Sequence, residues 1–347
     1  MSETKQPLQE RASVSRWVRT RDVLTSRWFV KTAFSVYFVL ACVQLMRFYA
    51  WARGVGPYVG RPEAPAGLLP VGHFTSFFAF VRGGGWDTLL PAGLVIIIGA
   101  LSVSLLFKRG FCGWICPLGT VWEGFALGGR KLMGRNIPVP RWLDITGRVF
   151  RYVITGLIVG MLLFVVPVAE AVDFRGLPYM LVADIKTISM MIQPVYLLVI
   201  LFAGALSLLF GPVWCRYLCP VGGIYSAVGE LSPCKVVRDA DACIHCGRCD
   251  AVCHAFVAIE AGHTVNDTEC DGCMDCVQVC PADRCLQAKA FGGAVIKPWT
   301  WAALVLALWF AIYGVAFVSG NWRSPIPADR FKAAVQSGII EQPSVPQ

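Results

Sequence analysis

Charged residues are scarce in this chain. Only 15% of its 347 residues are Asp, Glu, Lys or Arg, and only four are His. Hydrophobic residues make up 56% and form long uncharged runs, which are typical of membrane spans. The sequence also lacks a Gly-rich phosphate loop, a Rossmann fingerprint and a nucleophile–base set, so no catalytic residue is assigned. No small-residue cleavage site follows a short apolar core near the N-terminus, so no signal peptide is predicted.

The apolar runs predict a polytopic α-helical membrane protein with about five transmembrane helices. These runs lie at 28–51, 89–107, 152–169, 192–211 and 299–319. Residues 52–87 and 170–191 are expected to be loops. Lys31 and Arg47 lie near the ends of the first run, where long side chains reach the membrane interface. The predicted organisation is a basic, solvated tail (1–27), a four-helix core (28–233), an iron–sulfur module (234–290), a fifth span (298–319) and an external tail (320–347).

The distribution of Lys and Arg predicts the orientation. Six of these residues lie in the N-terminal tail and seven in the 108–148 loop, against three in 52–87 and two in 170–191. By the positive-inside rule, the N-terminus, the 108–148 loop and the iron–sulfur module are cytoplasmic, and the C-terminus is periplasmic. The net charge of +9 falls mainly beside hydrophobic segments, so it indicates the lipid bilayer and not a nucleic acid as the partner.

The region between residues 243 and 280 carries the chemistry. It contains two C-x2-C-x2-C-x3-C runs, and in such pairs three close cysteines hold one cubane while the fourth ligates the other. The first predicted [4Fe–4S] cluster is held by Cys243, Cys246, Cys249 and Cys280, and the second by Cys270, Cys273, Cys276 and Cys253. Structural zinc is the alternative, but interleaved four-cysteine runs are poor zinc fingers. Haem attachment is set aside, because Cys249-x3-Cys253-His254 departs from the C-x-x-C-H spacing.

A sequence repeat supplies four further cysteines. Residues 105–122 align without gaps on 208–225, and both copies contain C-x3-C-P. The proline disfavours helical geometry at the preceding cysteine, so a span should stop there. Cys112, Cys116, Cys215 and Cys219 could hold a further metal or iron–sulfur centre, exchange electrons as thiol–disulfide pairs, or simply pack at helix ends. Cys234 and Cys285 fall outside every motif and are treated as non-ligands, with Cys285 a weak spare candidate.

These motifs in this order resemble those of the NapH-type membrane ferredoxins, to which MauN and the membrane half of NosR are related. The resemblance covers about residues 25–290. It implies a four-span core with cytoplasmic clusters, held by the eight cysteines of the two runs, and a role in passing quinol-derived electrons toward periplasmic redox enzymes. The chain departs from the pattern in its fifth span and external tail, and residues 52–87 are too few for a flavin-bearing domain of the NosR kind. The partner enzyme therefore stays open.

The predicted function is electron transfer between the quinone pool and a partner redox protein. The aromatic segment 73–81 is a candidate wall for a quinone pocket, with His73 or Asp87 as proton acceptor; the alternative is an interfacial segment that packs against the spans. Two other functions stay open. The chain could be a metal-reducing or maturation factor for a metalloenzyme. The predicted external segments offer few metal ligands for this role, namely His73 and a few methionines. It could also be a redox-sensing membrane anchor.

Overall fold

The computed structural model describes residues 20–134, 136–290 and 293–337, and most of these residues are helical. In chain order the helices are α1 (Thr20–Ala52), α2 (Pro70–Val81), α3 (Pro91–Leu106), α4 (Gly110–Trp114), α5 (Pro117–Met133), α6 (Arg141–Gly160), α7 (Val168–Gly176), α8 (Pro178–Ile192), α9 (Pro194–Phe210), α10 (Pro220–Glu230), α11 (Arg248–Val252), α12 (Asp275–Val279), α13 (Pro298–Val318) and α14 (Ala328–Gln336). The chain divides into two units. The first comprises residues up to 34, 102–140 and 207–307, and the second comprises 35–101, 141–206 and 308 onward.

Three helices among the described residues are long and apolar enough to cross a membrane, namely Arg27–Ala52, Arg141–Val165 and Pro298–Val318. The pair Met180–Met191 and Pro194–Phe210, bent by 69°, makes a fourth if it is counted as one span. The bend lies at Pro194, which disfavours helical geometry at the preceding residue. The predicted second span forms only the 16-residue α3. At about 1.5 Å per residue, α3 is shorter than a hydrocarbon core of about 30 Å. Membrane helices are therefore confirmed, but helix length supports three to four spans and not five.

The predicted loops 52–87 and 170–191 contain helices, so these predictions were wrong, and the predicted 108–148 loop likewise contains α4, α5 and the start of α6. Residues 52–87 include α2, and residues 170–191 include most of α7 and α8. In α2 the closely spaced phenylalanines pack on one another, with the Phe74 and Phe78 ring centroids 6.2 Å apart. Aromatic clustering of this kind stabilises a helix too short to be recognised from a membrane-length hydrophobic run.

The predicted external tail also contains a helix, α14, which belongs to the core of the second unit. Phe331, Ala334 and Val335 lie on one face of α14 at the i, i+3, i+4 spacing and are buried. They pack in a cluster with Leu45, Phe48, Ala52, Val182, Ile185 and Ile188. The residues before α14 are also held, because the Ser324 N–H donates to Glu63 Oε1 at 3.1 Å. Residues 1–19 and 338–347, which include most of the predicted basic tail and the chain end, lie outside the described residues.

The iron–sulfur module lies in the first unit and combines short strands with short helices. Within residues 235–296, excluding 291–292, the strands β1 (Lys235–Arg238), β2 (Leu286–Lys289) and β3 (Val295–Ile296) form an antiparallel sheet in the order β1-β2-β3. Each cysteine run follows the same backbone path. The residues before and after its second cysteine are left-handed, namely His245 and Gly247 in the first run and Gly272 and Met274 in the second. The runs are thus conformational copies, as their equal spacing predicts.

The helix that begins within the first repeat comes close to the start of the second repeat in the first unit. An ideal Cβ on Gly129 would lie 1.7 Å from the Leu208 carbonyl oxygen, whereas one on Gly124 of the same helix would meet nothing within 4 Å. We expect Gly129→Ala to destabilise the protein by about 1–3 kcal/mol through overpacking. Gly124→Ala should stabilise it by up to about 1 kcal/mol through helix propensity. Melting temperatures of the purified protein in detergent test this pair, and shifts of the same sign would contradict the contact.

Candidate iron–sulfur sites

The thiols predicted for the first cluster converge on one cavity. This cavity is lined by Cys243, Cys246, Cys249 and Cys280, together with a fifth thiol, Cys285. Burial acts to raise the pKa of Cys243, but hydrogen bonds from the His245 N–H, Arg238 and Cys285 lower it. Donors of this kind stabilise a thiolate, which is the form that ligates iron. Four soft thiolate ligands lie around one cavity, and hydrogen-bond donors are directed at the sulfur of Cys243. This arrangement fits a [4Fe–4S] cluster.

Cys285 was treated as a non-ligand from its sequence position, yet it belongs to this cavity. It is 2% exposed. Its sulfur lies near those of Cys243 and Cys280 and 3.6 Å from the Asp239 carbonyl oxygen, and its single S–H proton can donate to one of these acceptors at a time. Cys285 enters the cavity because it precedes β2, whose pairing with β1 brings it beside Asp239. No local spacing rule reports such a long-range contact.

The thiols predicted for the second cluster also come together. The charges of Cys253 and Cys270 both act on Cys276, and that of Cys276 acts on Cys273. Burial raises the pKa of Cys253 to about 12 and that of Cys270 to about 11. The Val257 N–H donates to Cys253 Sγ at 3.4 Å. The donor set again fits an iron–sulfur cluster, because buried thiols need the charge of bound iron to be held as thiolates.

The two cysteine runs differ in their surroundings. The second run lies against the first repeat: the Trp114 Nε1–H donates to the Gly272 carbonyl oxygen at 3.0 Å, and Arg109 pairs with Glu269 at 2.8 Å. The first run faces outward, since Ile244 is 43% exposed and the His245 side chain is exposed. The charge of Cys249 in the first set still acts on Cys276 in the second. The two sets are therefore neighbours, one inner and one outer.

A buried charge cluster surrounds the second run, and sequence analysis missed it. Its members are Arg27, Lys31, Glu123, His254, Asp271 and Asp275. Arg27 lies 2.9 Å from Glu123 and 3.0 Å from Asp275, and Lys31 pairs with Glu123. The predictions that Arg27 lies in a solvated tail and that Lys31 reaches the membrane interface were wrong, because both side chains are 1% exposed. The sequence pattern that could have revealed the cluster is the spacing of four between Arg27 and Lys31, which places two cations on one helix face.

Mutual pairing sets the charges within this cluster. His254 stands where the second run has proline, and its Nε2 lies 2.7 Å from Asp271 Oδ2. Burial acts to raise the pKa of Asp271, but the charge and hydrogen bond of His254 and the charge of Arg27 hold it well below its usual range. Burial also acts to raise the pKa of Glu123, but the charges of Arg27, His254 and Lys31 outweigh it and lower that pKa. The cluster thus keeps these two carboxylates ionised beside the second set of thiols.

The cysteines of the two repeats are also brought together. The charges of Cys112, Cys116 and Cys219 all act on Cys215. Cys112 and Cys215 line a second cavity, together with Arg109 and Glu123. Cys116 and Cys219 leave helical geometry, with ψ of 116° and 107°, and a new helix begins at the proline after each. A helix boundary lies at each C-P pair, but the predicted stop of the spans there was wrong, because the spans end earlier, at Leu106 and Phe210, and a short helix (Gly110–Trp114 or Trp214–Leu218) precedes each C-P pair. Cys234 is buried in the same unit and lines neither of the two cavities described.

The two quinone-site candidates lie in the second unit and have different roles. Asp87 accepts hydrogen bonds from Ser76 Oγ at 2.6 Å and from the Leu89 and Leu90 N–H groups at 3.0 Å, so it is engaged as a cap before α3. His73 is 2% exposed and donates to the Ala66 carbonyl oxygen. Its Nε2 is buried and has no hydrogen-bond partner among the described residues. His73 thus offers an open acceptor and Asp87 does not.

Two family profiles match the chain. One is described as a 4Fe-4S binding domain and matches residues 89–136 and 192–236, which contain both repeats. The other is described as a 4Fe-4S dicluster domain and matches residues 235–288, which contain both cysteine runs. Iron–sulfur binding is therefore supported for both regions.

Relatives match the chain over different extents. YccM of Escherichia coli, whose name assigns it provisionally to electron transport, is 30% identical over 343 residues, covering 95% of this chain and 93% of the relative. The ferredoxin-type protein NapH of Haemophilus influenzae is 26% identical over 209 residues, covering 59% and 58%. The regulatory protein NosR of Stutzerimonas stutzeri is 25% identical over 214 residues, covering 60% of this chain and 29% of the relative. No solved structure matches the chain.

Proposed function

Since this chain belongs to the NapH/MauN-type family of ferredoxin-like membrane proteins related to NosR, we propose that it relays electrons between the quinone pool and a partner redox enzyme. The observation that carries this proposal is the inner and outer arrangement of two adjacent thiol sets. The inner set contacts a repeat that continues from the apolar helix α3. The outer set has exposed neighbours at which a second protein can dock.

We assign Cys243, Cys246, Cys249 and Cys280 to the outer cluster and Cys253, Cys270, Cys273 and Cys276 to the inner one. When bound, each [4Fe–4S] cluster supplies a one-electron carrier, so the pair matches the two electrons that a quinol releases with two protons. The chain's own part is to hold the thiolates and to supply the charges around them. Arg238 donates to Cys243 of the outer set, and Arg27 acts on Cys273 of the inner set.

We further propose that His73 contributes to quinol binding. Its Nε2 is a hydrogen-bond acceptor with no partner among the described residues, and a buried acceptor without a donor is costly unless a ligand satisfies it. A quinol hydroxyl is such a donor. We place the protein in the bacterial inner membrane with the N-terminus and the module cytoplasmic and the C-terminus periplasmic, because Lys and Arg are concentrated in the N-terminal tail and the 108–148 loop.

The test uses anaerobically purified protein in detergent, oxidised and then mixed with a reduced quinol analogue. We expect EPR signals of reduced clusters to develop. His73→Leu should slow their appearance about tenfold, which corresponds to about 1.4 kcal/mol from one lost hydrogen bond, while dithionite still reduces the clusters fully. His263→Leu is the matched control, since His263 is exposed in the module and should leave the rate unchanged.

The proposal of direct quinol oxidation would be rejected if dithionite reduces the clusters but quinols of low and high potential both leave them oxidised. If the wild-type reaction proceeds and His73→Leu reacts at the wild-type rate, the relay stands and only the role of His73 is rejected.

A further inference from the structure

The two repeats pack against each other reciprocally. In the ungapped repeat Phe111 is equivalent to Trp214, and Trp122 is equivalent to Tyr225. Phe111 contacts Tyr225 with ring centroids 5.6 Å apart, and Trp122 contacts Trp214 with centroids 5.7 Å apart. The start of each copy thus meets the end of the other. Reciprocal contacts between equivalent residues are characteristic of an isologous, two-fold interface, which here forms within one chain.

Hydrogen bonds at the helix ends are reciprocal in the same way, since equivalent carbonyl groups accept from the opposite copy. The Leu106 carbonyl oxygen accepts from Ser232 Oγ at 2.7 Å, and the carbonyl oxygen of Leu209, its equivalent in the second repeat, accepts from the Ile137 N–H at 2.8 Å. Each donor follows the helix that begins at the C-P pair of the opposite copy. Two independent kinds of contact therefore relate the repeats by one pseudo-two-fold axis.

The second cysteine of each repeat has the same local geometry. Cys116 Sγ accepts from the Gly119 N–H at 3.4 Å, and Cys219 Sγ accepts from the Gly222 N–H at 3.3 Å. Both sulfurs therefore cap the N-terminus of a helix, where unpaired N–H groups and the helix dipole favour negative charge. The two repeats therefore place their second sulfur in equivalent positions at a helix start.

The first cysteine of each repeat, Cys112 or Cys215, lines the second of the two cavities described above. Arg109 lines the same cavity, and its charge acts on both Cys112 and Cys215. The lining also includes His254, Glu269 and Asp271, which flank cysteines of the inner ferredoxin set. The thiols therefore meet beside a cation, two helix N-termini and a predicted electron carrier.

We propose that Cys112, Cys116, Cys215 and Cys219 together hold a third iron–sulfur cluster on the pseudo-two-fold axis between the repeats. Four thiolates are the usual ligand set of such clusters, and each repeat supplies two of them. A structural zinc ion accepts the same donors, but it would have no use for a redox neighbour. The cluster would exchange single electrons with the inner ferredoxin cluster. Only this redox role rests on the proposed relay, because the metal content is independent of it.

The test measures iron and acid-labile sulfide in the full chain, purified anaerobically in detergent. Two cubane clusters account for about eight iron atoms, so we expect about two to four more per wild-type chain. Cys112→Ser and Cys215→Ser should each remove this excess and one EPR signal while the ferredoxin signals remain. The pseudo-symmetry requires equal losses from the two variants. Cys42→Ser, in the apolar helix α1, is the control and should change neither readout.

The wild-type measurement decides the matter even if a variant fails to fold. About eight iron atoms with no third signal, together with alkylation of the four thiols in the native protein, would show free thiols and overturn the proposal. One zinc ion per chain that is lost in both variants would overturn it in favour of a structural site. Failure of quinol to reduce the protein would reject the relay and leave the iron content unaffected.

Discussion

Replacing Arg27 with methionine should destabilise the protein by about 3–5 kcal/mol, since the change breaks a buried ion pair and leaves carboxylates uncompensated. Arg27 is 1% exposed, and its guanidinium contacts Glu123, Asp275 and the Gly113 carbonyl oxygen within 3.1 Å. These partners belong to α5, α12 and α4, so the loss should loosen the module from the first repeat. The measurement is denaturant or thermal unfolding of the purified protein in detergent.

The matched control is Arg148→Met. Arg148 pairs with Asp144 at 3.0 Å across one turn of α6 and is partly exposed, so its loss should change stability by less than about 0.5 kcal/mol. A sharper test adds Glu123→Gln to Arg27→Met. The double variant should be less destabilised than the sum of the single variants, because the uncompensated charge is removed. Equal effects of Arg27→Met and Arg148→Met would show that the buried cluster contributes no more than a surface pair.

Replacing Cys253 with serine should abolish the inner cluster although Cys253 lies in the first run. The ligand sets are interleaved, so the signal lost in Cys253→Ser should be the one lost in Cys273→Ser and not the one lost in Cys246→Ser. EPR of the dithionite-reduced variants measures this without prior assignment of either signal. Because metal binding is coupled to folding, the module should also lose most of its protease resistance.

Cys234→Ser serves as the control for this series. Cys234 is buried immediately before β1 but belongs to neither thiol set, so both signals should persist. If Cys253→Ser and Cys246→Ser remove the same signal, each run would bind its own cluster and the interleaved assignment would be wrong.

Much of the site was predictable from local patterns, and its surroundings were not. The eight thiols follow from spacing alone, because closely spaced cysteines in one loop can reach only a few positions. His254 was noticed only as a departure from proline, yet it pairs with Asp271. Arg27 was expected in solvent and Lys31 at the membrane interface, because isolated charges next to an apolar run are stable there. Their partners lie about a hundred or more residues away in sequence, beyond the reach of any periodicity.

The sequence by itself determined that membrane helices are present, the positions of the cysteine runs and the helix boundaries at Cys116 and Cys219, since these depend on hydrophobicity, chain spacing and proline sterics. Only the tertiary structure decided which side chains face one another. It packed each repeat against the other across a pseudo-two-fold axis, brought Cys285 into the outer cavity, left His73 Nε2 without a partner among the described residues and added α14 to a core. The physical reason is that such contacts depend on close packing between segments that are distant in the chain, and no local pattern encodes which of them will meet.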